Sequence, residues 1–176
     1  MIFTPTKFLG VYIIEPERHE DARGFFARTF CAREFEQHGL VREFVQCSVS
    51  ANRLRGTLRG MHCQLPPAGE TKLVRCTSGA IYDVIVDLRK NSTTYLQHLG
   101  VELTAENSRA LYVPEMFAHG FQALENDSVV FYHISEYYAP TAAIGLRYND
   151  PKLGIQWPLP VSVISDKDRD WPLLHP

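Results

Sequence analysis

The sequence predicts an all-β sandwich or barrel. Three observations carry this. Short runs rich in β-branched and aromatic residues recur at regular spacing, Gly, Pro, Asn and Asp divide them, and little helical pattern lies between. Taken in order, GVYIIEP reads as a strand closed by Pro16, and EDARG as a turn into FFARTF. A short helix is expected near Cys31 to His38, ended by Gly39. REFVQCSVS alternates as a half-buried strand should. KLVRCTSG and AIYDVIVDL form two strands around a Gly79 turn, and the Asp-Leu-Arg-Lys-Asn-Ser cluster makes the next turn. LGVELT, ALYVPE, HGFQALE and VVFYHISEYYA complete the series. The stretch from Asn149 to Pro176 is proline-rich and irregular, yet it carries Trp157, Trp171 and several leucines, so it is expected to pack over the barrel.

The 176 residues fit one domain, 1–176, with room for a proper core. With 18 Lys+Arg against 20 Asp+Glu, the chain lacks the basic footprint that duplex nucleic acid requires. The first residues show no basic segment followed by an apolar run, and no apolar stretch approaches the roughly 20 residues that span a bilayer. The expectation is a soluble, cytoplasmic protein with no membrane partner. Cys31, Cys47, Cys63 and Cys76 are widely spaced with no CxxC pair, which predicts small buried or half-buried thiols rather than disulfides or a zinc site.

Two clusters carry candidate chemistry. The first is TLRGMHCQLPP followed by Lys72, in which His62 stands beside a turn-prone Arg-Gly at the start of a proline-broken loop. The second is YVPEMFAHGF. Together they have the layout of a cupin-like jelly-roll barrel. A metal cupin needs a second histidine two residues after the first, and here that position is Gln64. Only His62 and His119 remain of the usual ligands, so no metal and no cofactor are expected. A histidine released from ligation can act as a general base.

These clusters, with KLVRCTSGAIYDVIVDLRKNS, GVELTAENSRALYVPEMFAHGF, EYYAP, YNDPKLGIQWPL and SDKDRDWPLL, resemble the dTDP-4-dehydrorhamnose 3,5-epimerase family in order from about Gly10 onward. The resemblance implies inversion of C3 and/or C5 of a nucleotide-linked 4-keto-6-deoxy sugar, in deoxysugar biosynthesis of the kind that feeds lipopolysaccharide or O-antigen. It implies His62 as the base, Asp168 as its carboxylate partner, Lys72 near the C4 carbonyl and Tyr132 as the proton donor on the opposite face. It matches Arg59 and His119 to the diphosphate and sugar, and Gln46 and Tyr138 to the nucleotide. Arg23 and Phe26 match positions that reach the nucleotide of the neighbouring subunit, which implies a homodimer with segment 23–28 crossing between sites.

Three positions depart from the family pattern. Arg28 stands where a glutamate is common, Ser48 where an asparagine is expected, and Ala143 where an acidic residue would sit. An arginine has no acceptor for a thymine N3–H, so a differently based sugar nucleotide, such as a CDP-linked one, is the alternative substrate. A single-centre epimerase, a keto-sugar ketoisomerase of related fold, a metal-dependent cupin oxygenase and a binding module without catalysis are the competing readings.

Overall fold

A computed structural model describes residues 1–174. Its strands are β1 (Ile2–Pro5), β2 (Tyr12–Glu15), β3 (Arg18–Asp21), β4 (Gly24–Ala27), β5 (Gln46–Asn52), β6 (Leu58–Gln64), β7 (Lys72–Ser78), β8 (Ala80–Asp87), β9 (His98–Thr104), β10 (Ala110–Val113), β11 (Phe117–Ala123), β12 (Ser128–Ile134) and β13 (Ala143–Gly145). Two short helices join them, α1 (Ala32–Gln37) and α2 (Asp166–Arg169). A six-stranded sheet runs β1-β2-β10-β7-β12-β5 and a five-stranded sheet β13-β6-β11-β8-β9, while β3 and β4 form a separate hairpin.

Period-two alternation sorts the side chains of β12 between two faces. Val130 enters a core with Val74, Cys76, Ile81, Ile85, Leu103, Leu111 and Phe121, and Tyr132 packs against that core. The intervening Phe131 and His133 face the other side, where His133 stacks on Phe30 from the α1 segment. Because β12 alternates, Tyr132 is aimed between the sheets.

Several element boundaries depart from the sequence reading. TLRGMHCQ reads as a turn and loop, but Leu58–Gln64 is strand β6, paired to β11 on one side and β13 on the other. Gly60 makes this work. It has φ +114°, and a Cβ there would come within 2.6 Å of Gly120 Cα on the neighbouring strand. The Arg-Gly pair marks a close approach of two strands, not a turn. β12 ends at Ile134 instead of continuing through EYYA, because the Gln64 side chain takes over that backbone: its Nε2 donates to Tyr137 O at 3.2 Å and its Oε1 accepts from Ala139 N at 2.6 Å. β5 begins at Gln46, not Arg42, and β1, β13 and α2 are not among the elements expected from the sequence. All four cysteines are free, and Cys47 is exposed, not buried, because it lies on the outer face of edge strand β5.

The tail does pack on the sheets. Buried Gln122 clamps it with Nε2 to Leu159 O at 2.8 Å and Oε1 to Leu159 N at 3.0 Å. Leu58 N then donates to Val163 O at 2.8 Å, fastening the tail to the start of β6. Ser165 caps α2 by accepting from Asp168 N at 3.1 Å. The four-residue helix thus arrives at β6 with Asp168 turned inward and buried.

Candidate active site

The two sheets enclose a cavity of about 320 Å³ whose lining includes His62, Lys72, His119, Tyr132 and Tyr138. His62 and His119 come from the five-stranded sheet, where they are direct cross-strand partners. Lys72 and Tyr132 come from the six-stranded sheet. Both walls therefore supply polar groups to one space.

His62 Nε2 lies 2.6 Å from Asp168 Oδ1, with the imidazole 44% exposed and the carboxylate 8% exposed. Asp168 Oδ2 accepts from Gly60 N at 3.1 Å, so both oxygens are engaged. Burial pushes the Asp168 pKa up, but the hydrogen bond and charge of His62, with help from Gly60 N–H and Ser165, outweigh it and hold the carboxyl below its ordinary value. A carboxylate fixed on Nε2 orients the ring and leaves Nδ1 as the nitrogen available to a ligand.

Lys72 opens β7, and its Nζ is 2.8 Å from Glu70 Oε1. Burial drives the Tyr132 phenol pKa strongly upward; the charge of Asp83 adds to that rise and Arg59 opposes it. Tyr132 therefore keeps its proton until a strong base appears. Its ring meets His119 edge-on at 6.0 Å. His119 is buried and held through Nε2 by Asp83 Oδ1 at 2.7 Å.

Ser48 and Ala143, two of the three departures from the family pattern, line the same cavity. Arg59 lies outside the lining, with Nε donating to Asn52 Oδ1 at 2.8 Å. Gln46 Oε1 accepts from Tyr138 N at 3.0 Å, so it holds the Tyr138 segment from below. Arg23, Phe26 and Arg28 do not line the cavity of their own chain. They belong to the β3–β4 hairpin and its exit, where Arg23 pairs with Asp21 at 2.5 Å, Arg28 with Glu34 at 3.0 Å, and Phe26 is 75% exposed.

Four lining or supporting groups escaped the sequence reading. Glu70 precedes Lys72 by two, the spacing that puts side chains on one side of an extended chain. Asp83 is a carboxylate inside the apolar run AIYDVIVD, which was itself a signal. Lys167 and Trp171 come from the tail, with Lys167 Nζ 5.6 Å above the Trp171 ring. Trp171 fits because residue 145 is glycine: a Cβ there would overlap the indole ring.

The donors do not form a metal centre. Among the described residues no group of three or more His, Cys, Asp or Glu is placed to hold an ion. Gln64 spends its amide on the backbone of Ala68, Tyr137 and Ala139. No helix among the described residues is long and apolar enough to cross a membrane.

A family model for dTDP-4-dehydrorhamnose 3,5-epimerase matches residues 5–176. An enzyme of that name from Methanothermobacter thermautotrophicus is 47% identical, over 96% of this chain and 92% of its own. The crystal structure of the Bacillus anthracis dTDP-4-dehydrorhamnose 3,5-epimerase, with TDP and PPi bound, is 43% identical and superposes with a TM-score of 0.95, covering 98% of this chain and 99% of that one. A Legionella pneumophila dTDP-6-deoxy-D-glucose-3,5-epimerase, solved with dTDP-4-keto-L-rhamnose, is 38% identical with a TM-score of 0.91, covering 98% and 92%.

Proposed function

The chain belongs to the dTDP-4-dehydrorhamnose 3,5-epimerase family and is an isomerase, and from that premise we propose that its cavity inverts C3 and C5 of a nucleotide-linked 4-keto-6-deoxy sugar. The substrate in this reading is dTDP-4-dehydro-6-deoxy-D-glucose and the product dTDP-4-dehydro-L-rhamnose. Residues 1–176 act as a single epimerase domain that needs no cofactor. A nucleotide-linked substrate fits a cytoplasmic enzyme supplying activated deoxysugar for surface polysaccharide such as O-antigen.

The observation that carries the reading is the His62–Asp168 pair facing Lys72 and Tyr132 across one cavity. A 4-keto group acidifies the hydrogens on both adjacent carbons. Nδ1 of His62 takes the proton, and the C–H electron pair passes into an enolate whose negative charge rests on O4. Asp168 stabilises the imidazolium that forms. Lys72 faces that oxygen, an attraction stronger in the transition state than in the bound ketone. Tyr132, on the opposing sheet, returns a proton to the other face, and its raised pKa makes the phenol hold that proton for the carbanion.

The β3–β4 hairpin supplies the neighbouring subunit's nucleotide site in this reading. Its strands are exposed almost throughout, and Phe25 and Phe26 offer apolar rings to solvent in the single chain. Edge strand β5 likewise exposes Val49, with Val45 just before it, which suits a two-fold partner.

Incubation with the dTDP-linked 4-keto-6-deoxy sugar in D₂O tests the proposal. Deuterium at C3 and C5 with inversion is expected. No deuterium at either carbon, with dTDP- and CDP-linked substrates both tried, overturns it.

A further inference from the structure

Glu70 and Lys72 form a half-buried ion pair, and the Glu70 carboxylate has no part in the proposed reaction. Glu70 Oε1 and Lys72 Nζ are 2.8 Å apart, and the two side chains are 12% and 11% exposed. Both line the cavity. Glu70 lies two residues before Lys72, at the entrance to β7, and the ion pair holds the two heads together. A carboxylate largely withdrawn from water is costly without a partner, and among the described residues Lys72 is the cation paired with Glu70.

We propose that Glu70 is a positioning residue that anchors the Lys72 ammonium inside the cavity, a role that rests on the reading of Lys72 as the group facing the enolate oxygen. A lysine ends a flexible four-carbon stem with three donors. One donor spent on Glu70 fixes the head; two remain for the oxygen at C4. Preorganised charge is the form in which a cation lowers a barrier, because no reorientation is needed when the enolate forms. Cys63, in the same lining, leaves this pair undisturbed: burial pushes its thiol up to about 11, so it is neutral at working pH.

The test compares Glu70→Ala, Glu70→Met, Glu70→Gln, Lys72→Ala and the Glu70→Ala/Lys72→Ala double variant, reading kcat and KM for deuterium incorporation at C3. Met keeps the volume and removes the acceptor, and Gln keeps an acceptor oxygen without the charge. Loss of the anchor should lower kcat about 10- to 100-fold in both Ala and Met variants, with KM within about twofold. Gln should recover kcat to within about fivefold of the parent, since its amide oxygen still accepts from the ammonium. The double variant should be no slower than Lys72→Ala alone, because Glu70 acts only through Lys72. Independent, multiplying losses would overturn the anchoring role while leaving Lys72 in place, as would a rise in KM with kcat unchanged, which is the mark of direct substrate contact. An unchanged kcat in Lys72→Ala would instead overturn the reading of Lys72 itself.

Discussion

Replacing Asp168 with asparagine probes the site at its most constrained atom pair. Both carboxylate oxygens are acceptors, Oδ1 toward His62 Nε2 at 2.6 Å and Oδ2 toward Gly60 N at 3.1 Å. An asparagine has one acceptor oxygen and one donating amide. Turned one way, its amide N–H faces the Gly60 N–H; turned the other, it donates to His62 Nε2 and leaves the ring proton on Nδ1, where it blocks the base, and in both cases the negative charge beside the imidazolium is gone. A hydrogen bond to a charged group contributes about 1.5–3 kcal/mol. At about 1.4 kcal/mol per factor of ten, kcat should fall about 10- to 150-fold. The assay is the initial rate of deuterium appearance at C3 by NMR under saturating substrate, with the melting temperature confirming a folded variant. KM should change little, since Asp168 stands behind His62 and does not line the cavity. A folded Asp168→Asn variant with the parental kcat would be incompatible with a role for this carboxylate in holding and charging His62.

Tyr132→Phe should keep deuterium exchange at C3 while losing inversion, because His62 can still remove and return the proton on one face; NMR of product stereochemistry reads this directly. Gly60→Ala should cost more than about 3 kcal/mol in urea unfolding, because its Cβ meets backbone of Gly120 and His119 that has nowhere to move. Burial raises the Asp87 pKa, but donation from Arg89, Thr94 and Ser92 outweighs it and holds this carboxyl, like Asp168, below its ordinary value. Depressed carboxyls contribute stability above the unfolded pKa near 4, and that contribution is lost as pH falls toward the folded value. Urea midpoints should therefore drop steeply below about pH 4, and Asp87→Asn should be less stable at pH 7 by about 3 kcal/mol with a flatter acid dependence.

Most strands were legible because period-two alternation of β-branched and aromatic residues is what a pleated, half-buried surface demands and a helix does not. β6 was not, because Gly60 inside it looks like a turn until the approach of Gly120 is known. The end of β12 was misplaced for a similar reason: the Gln64 amide that captures Tyr137 and Ala139 is 73 or more residues away in sequence. The site divides along the same line. His62, Lys72, Tyr132 and Asp168 were nameable from the family resemblance, and the structure gathers all four, with Asp168 delivered by a helix of only four residues whose local signal is the capping Ser165 three positions before it. Glu70 and Asp83 went unnamed because their meaning lies in a partner. Glu70 is an ordinary acidic residue until Lys72 is seen beside it, and Asp83, though conspicuous inside an apolar run, has no role until His119 is seen against it.

In the proposed mechanism one base, His62, serves both carbons. The decisive measurement is deuterium incorporation at C3 and C5 in His62→Ala, folded and still binding dTDP, alongside the parent enzyme. Incorporation should be lost at both carbons. Incorporation persisting at either carbon at the parental rate would show that another group removes that proton.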